Sequence, residues 1–176
     1  MVITLIGYRG SGKTAVAEPL ARRLGWSWVD ADVAIESRAG RSIREIFERD
    51  GEAGFRDMER LVIQELLQRT NVVIAAGGGA ILDGDTRSEL RAAGPVVWLM
   101  ASVETLLGRI EGDHTTQQRR PSLTGQTPRD EVLSVLAERM PLYQECATVI
   151  VATDNQTVDQ VVERIRRSVE DVYLEN

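Results

Sequence analysis

The sequence is poor in the residues that most often announce a compartment or a chemistry. Its 176 residues include one cysteine, Cys146, one histidine, His114, and one lysine, Lys13. A single cysteine excludes an intramolecular disulfide framework and suits a reducing cytoplasm. Cys146, next to Ala147, reads as a small buried hydrophobe. One histidine makes no zinc site by itself, and His114 lies in a polar stretch that reads as solvated loop. No apolar run approaches the roughly 20 residues of a membrane span. The chain enters an apolar run at once, with no basic segment before it, so no signal peptide is expected. Bases do not outweigh acids: 21 against 27, a net charge of −6. A general nucleic-acid binder needs a basic stripe, and none is visible. A phosphate site needs only local positive charge and is not excluded.

What is present is an ordinary globular composition, 43% hydrophobic and 27% charged. The length suits one α/β domain spanning residues 1–176, and no repeat or linker divides it. Five short apolar runs stand out: 2–6, 26–29, 72–76, 96–100 and 148–152. Helical patterns lie between them. Strands alternating with helices predict a parallel sheet with helices on both faces.

The first run leads into Gly7-Tyr8-Arg9-Gly10-Ser11-Gly12-Lys13-Thr14, which matches the phosphate-gripping pattern G-x-x-x-x-G-K-[ST]. Its setting is right: a β-branched strand before it, and apolar residues at helical spacing after it. Glycines let the backbone turn sharply and approach phosphates closely, so successive N–H groups form an anion-binding hollow at a helix N-terminus. In this pattern Lys13 neutralises the β- and γ-phosphates and the Thr14 hydroxyl binds Mg²⁺. All 20 other basic residues are arginine. Lysine survives at the one place that wants a compact, flexible point charge.

The helix from about Lys13 to Leu24 contains Pro19, which predicts a kink. Asp30 and Asp32 follow the second strand, at the end where ligands bind in open α/β sheets. Either one serves a metal and the other a substrate, or one of them caps a helix over 33–38. In residues 40–69, Ser42 and Glu45 fit a capping box, and Gly51 and Gly54 predict two separate helices. Arg56 and Glu59 share a helical face and can pair. Gly77-Gly78-Gly79 at the third strand's end suggests backbone contact with a ligand, or a plain turn. Helices are expected over 83–93, after Ser102 as cap, over 128–145 and over 157–170. Between two of these, about 111–127 is a long polar stretch with Arg119-Arg120-Pro121, and it reads as a lid over phosphates.

The whole pattern resembles the shikimate kinase family. The residues that carry the likeness are Gly7–Thr14, Asp30-Ala31-Asp32 with Ile35-Glu36, and Gly40-Arg41-Ser42-Ile43 with Ile46-Phe47. They continue with Gly51-Glu52, Phe55-Arg56 and Glu59, then Gly77-Gly78-Gly79-Ala80, Arg120-Pro121, and Arg139 with Pro141-Leu142-Tyr143. Their shared order and spacing make the match specific. The resemblance implies a three-layer α/β/α fold like that of nucleoside monophosphate kinases, with a five-stranded parallel sheet and a lid. It implies transfer of the ATP γ-phosphoryl group to the 3-hydroxyl of shikimate, on the route to chorismate and aromatic amino acids. It places nucleotide binding at Gly10, Ser11, Gly12, Lys13, Thr14 and Ala15, with Arg109 and Gln156 near the adenine and Arg120 closing onto the phosphates. Thr14 and Asp30 are the implied Mg²⁺ residues. Asp32, Arg56, Gly77, Gly78, Gly79 and Arg139 are the implied substrate residues, and about 31–60 is the implied substrate-binding segment. Lys13, Asp32 and Arg120 are implied in catalysis. A monomer is expected. One departure is Ser122-Leu123 after Arg120-Pro121, where the family more often has two leucines. The rival readings are another small-molecule P-loop kinase, of gluconate type, and a non-catalytic nucleotide-binding regulator.

Overall fold

The computed structural model describes residues 1–112 and 127–170. The strands are β1 (Val2–Ile6), β2 (Ser27–Asp30), β3 (Val72–Ala75), β4 (Val96–Met100) and β5 (Val149–Ala152). The helices are α1 (Lys13–Leu24), α2 (Ala31–Ala39), α3 (Ile43–Leu67), α4 (Gly84–Ala93), α5 (Val103–Gly112), α6 (Pro128–Cys146) and α7 (Val158–Val169). The strands form one parallel sheet in the order β2-β3-β1-β4-β5.

Alternation along each strand divides the core in two. Val2, Ile6, Val72, Ile74, Val96 and Trp98 face one side, against α2, α3, α4 and α6. Ile3, Leu5, Val73, Ala75, Val97 and Leu99 face the other, against α1 and α7. The three-layer architecture expected from the sequence is therefore present. A third, smaller cluster joins Tyr8, after β1, to Leu106 of α5 and to Val132 and Val135 of α6.

Three local expectations change. Helix α1 runs unbroken through Pro19. An interior proline, which loses a backbone hydrogen bond and crowds the preceding turn, costs about 3 kcal/mol. Val16, Ala17, Leu20 and Ala21 are buried around the proline, and each large apolar side chain so buried contributes about 1.5–3 kcal/mol. Packing outweighs the break. Second, the two helices expected here are present and meet in a kink within α3 at Gly51, with φ 72° and ψ −174°, but Gly54 lies inside the second one and breaks nothing. Third, the polar stretch is shorter at its flanks than expected: Glu111 and Gly112 belong to α5, and Thr127 caps α6 through Asp130 N. Its remainder lies outside the described residues.

β1 is flanked by β3 on one side and β4 on the other, because the chain runs out to β2, returns through β3 and then crosses to β4. This reversal is the topological switch point at which such sheets leave a crevice. Across it the register is level: Leu5 pairs with Ala75, and Ala75 with Asp30. The segments that follow β1, β2 and β3 therefore leave the same edge of the sheet side by side.

Candidate active site

The loop after β1 is shaped by what a side chain would strike. Gly7 has φ 140°, and a Cβ there would lie 2.6 Å from the Leu99 carbonyl oxygen and 2.9 Å from Ser11 Oγ. At the other end Gly12, with φ 97°, is the N-cap of α1; it supplies no side-chain cap, and the first turn carries no acid. The helix dipole at this end of α1 favours an anion. Lys13 Nζ donates to the carbonyls of Gly7 and Tyr8, both at 2.9 Å, and so braces the loop. Ser11 is buried, whereas Thr14 and Ala15 are exposed.

Asp30 is a helix cap, one of the two readings of the sequence. Its Oδ1 caps α2, accepting from Asp32 N at 2.9 Å and Val33 N at 3.3 Å. Its Oδ2 accepts from Thr14 Oγ1 at 2.7 Å. A hydroxyl and a carboxylate in contact next to the phosphate loop are hard oxygen donors of the kind Mg²⁺ takes, with few protein ligands and the rest from phosphate and water. The donor set fits that ion. Asp32 sits in the first turn of α2, directly past the edge where β2 ends.

Two arginines converge on the glycines after β3. Arg56, on α3, donates to Glu59 Oε2 at 2.6 Å and lies over the Phe55 ring, 5.2 Å from its centroid. Phe55 stacks on Phe47 at 4.6 Å. A Cβ on Gly79 would come within 2.6 Å of Arg56 Nη2, so glycine is what admits the guanidinium here. From α6, Arg139 is 8% exposed and donates through Nη1 to the Gly78 carbonyl at 3.1 Å. The added Cβ of Gly78 would sit 3.4 Å from the Gly7 carbonyl oxygen. Arg56, Arg139 and the phosphate loop therefore meet at Gly78 and Gly79, with the partly buried Phe47 and the fully buried Phe55 packed beside Arg56. A guanidinium pair of this kind suits a carboxylate.

Arg109 braces the loop from behind. Its Nη1 donates to Thr153 Oγ1 at 3.0 Å, Gly10 O at 3.3 Å and Ser11 O at 3.4 Å, and Nη2 to Thr153 O at 3.0 Å. Beside it, hydrogen bonds from the hydroxyls of Thr105 and Ser102 pull the Asp154 carboxyl down to about 2. Gln156 follows in the same turn, its Oε1 buried without a hydrogen-bond partner. Gly77 closes a turn by accepting from Ala80 N at 3.1 Å. Arg120, expected at the phosphates, lies outside the described residues, as do His114 and Ser122.

Sequence reasoning assigned no contact to Arg9, Glu131 or Tyr143. Arg9, in the phosphate loop, pairs with Glu131 of α6, which is 2% exposed. Burial pushes the Tyr8 phenol up, with the Arg9 charge partly opposing it. The hydroxyl of Tyr143 donates to the Gly78 carbonyl at 2.7 Å. One signal for the α6 pair existed: Glu131, Val135, Arg139 and Tyr143 recur every four residues, and all are buried. The period marks an inward face but not what it meets.

Comparison with known proteins agrees with this geometry. The family model described as shikimate kinase matches residues 9–170. The shikimate kinase of Rhodopirellula baltica is 43% identical over 164 residues, covering 93% of this chain and 88% of that protein. Shikimate kinase 1 of Escherichia coli is 41% identical over 164 residues, 93% and 92% of the two chains. A solved structure of shikimate kinase from Acinetobacter baumannii in complex with shikimate superposes with a TM-score of 0.91 at 36% identity, covering 98% of this chain and 94% of that one. The chain belongs to the shikimate kinase family, and so to the ATP-dependent kinases.

Proposed function

We propose that the chain transfers the γ-phosphoryl group of ATP to the 3-hydroxyl of shikimate, giving shikimate 3-phosphate and ADP. The observation that carries this reading is the meeting of Arg56 and Arg139 at Gly79 and Gly78, which border the phosphate loop. A carboxylate held there sets its carbon ring beside Phe47, which the buried Phe55 backs, and its hydroxyls within reach of the loop.

Phosphoryl transfer needs positioning and charge neutralisation more than covalent help from the protein. The amides of residues 10–15 and Lys13 grip the phosphates, and Lys13 gives up its carbonyl partners for them. Thr14 and Asp30 hold Mg²⁺, which when bound supplies positive charge at the β- and γ-phosphates. Asp32 accepts the proton of the attacking hydroxyl as its oxygen bonds to phosphorus and the bond to the ADP oxygen breaks. Arg56, Arg139 and the Gly77–Gly79 backbone orient the acceptor. Arg109 and Gln156 border the adenine. The family likeness assigns Arg120, within the segment about 111–127, to the transferring phosphate.

We read the protein as one domain acting as a cytoplasmic monomer, in keeping with its single cysteine; a dimer mass by light scattering would contradict this. Among the described residues no helix is long and apolar enough to cross a membrane. The decisive assay couples ADP release to an indicator with Mg²⁺-ATP and shikimate, gluconate, AMP or no acceptor. Stimulation by shikimate alone is expected. Stimulation by gluconate instead would overturn the carboxylate clamp, and none by any acceptor, with ATP still bound, would favour a regulator.

A further inference from the structure

Tyr143 belongs to the recognisable run after Arg139, yet the reaction as described gives it no part. It is fully buried, stacked on Trp98 of β4 with ring centroids 5.6 Å apart. Burial of a tyrosine demands a partner for its hydroxyl. The partner is the Gly78 carbonyl at 2.7 Å, which also accepts from Arg139 Nη1 at 3.1 Å. Tyr143 and Arg139 stand one turn apart on α6, so their two donors reach the same oxygen from one helix face.

A carbonyl oxygen has two lone pairs, and here each meets a donor. The plane of the peptide between Gly78 and Gly79 is thereby held. In a trans peptide the carbonyl oxygen and the next N–H point to opposite sides, so fixing the oxygen also fixes the Gly79 N–H. Glycines by themselves hold no orientation. The same oxygen tethers one arm of the Arg139 fork, which sets the direction of the rest.

We propose that Tyr143 is a positioning residue for the acceptor: its hydroxyl sets the Gly78 peptide, and through it aims the Arg139 guanidinium and the Gly79 amide at the substrate carboxylate. The proposal rests on the shikimate reading above. It assigns Tyr143 to acceptor affinity rather than to nucleotide binding or the chemical step.

The test is Tyr143→Phe. Phenylalanine keeps the ring and its stack on Trp98, and the Gly78 oxygen keeps Arg139, so the variant is expected to fold with a melting temperature lower by only about 2–5 °C. A lost hydrogen bond of ordinary strength corresponds to a rise of about 2- to 12-fold in KM for shikimate. KM for ATP and kcat are expected to stay within about two-fold. In an Arg139→Lys background the same substitution is expected to add less than about two-fold, because the group it aims has changed. A folded Tyr143→Phe with normal KM for shikimate overturns the proposal. So does a loss shared equally by both substrates and paralleled by a larger fall in melting temperature, which marks a purely structural role. Failure of the unsubstituted chain to phosphorylate shikimate would overturn the underlying reading, a result separate from either.

Discussion

Glu131 and Arg9 offer the sharpest energetic test, because they bury opposite charges between the phosphate loop and the helix that carries Arg139. The Glu131 side chain is 2% exposed and that of Arg9 19%. Replacing Glu131 with leucine leaves the guanidinium largely out of water with its carboxylate gone. Breaking a buried pair this way costs about 3–5 kcal/mol. The residual exposure of Arg9 lets water reach it, which favours the lower end. For a chain of this size each kcal/mol moves the melting temperature by roughly 2–4 °C, so a fall of about 10 °C is expected. Arg9→Met should also destabilise, since it takes the Arg9 guanidinium away from the more deeply buried carboxylate. The double substitution should recover most of the loss, because neither charge then needs solvation. Urea unfolding of the four proteins gives the coupling directly. A coupling below about 1 kcal/mol, with the single losses adding, would place the pair with ordinary surface bridges and refute the reasoning.

Three further outcomes are expected. Asp32→Asn should abolish phosphoryl transfer while ATP binding, followed by calorimetry, stays near normal; near-normal turnover would remove Asp32 as an essential group. Asp154, held near 2 by the Thr105 and Ser102 hydroxyls, is a carboxylate with a depressed pKa. Its contribution is present above the ordinary value near 4 and is lost as pH falls through about 2. The gap in urea midpoint between the parent and Asp154→Asn should therefore be largest near pH 6 and close toward pH 2; a gap independent of pH would contradict this. The buried Cys146 thiol is pushed up to about 11. It should resist a thiol reagent at pH 8 in the folded protein and react as one equivalent in urea.

The features legible in the sequence are those whose cause lies within a few residues. The phosphate loop, the Ser42–Glu45 capping box and the Arg56–Glu59 pair all join groups no more than a turn or two apart, and all are formed. The central strands β1, β3 and β4 were legible because burial on both faces leaves unbroken apolar runs, whereas the edge strands β2 and β5 are partly exposed. Even locally, competition decided some cases. Pro19 lost to the packing of Leu20 and Ala21, and Gly54 lost to the helix around it, while Gly51 kept its break.

The site itself was legible as an inventory of residues and not as an arrangement. The sequence by itself determined the phosphate grip, the alternation of strand and helix and the types of side chain available, because local hydrogen bonding and periodicity encode these. Only the tertiary structure decided that Arg139 and Tyr143 meet Gly78, 61 and 65 residues away, or that Arg9 finds Glu131 across 122. Those meetings follow from the strand order β2-β3-β1-β4-β5, which brings the ends of β1 and β3 together and lays α6 across them. Strand order is a property of the packed sheet, set by which apolar faces bury one another, and no short stretch of chain contains it.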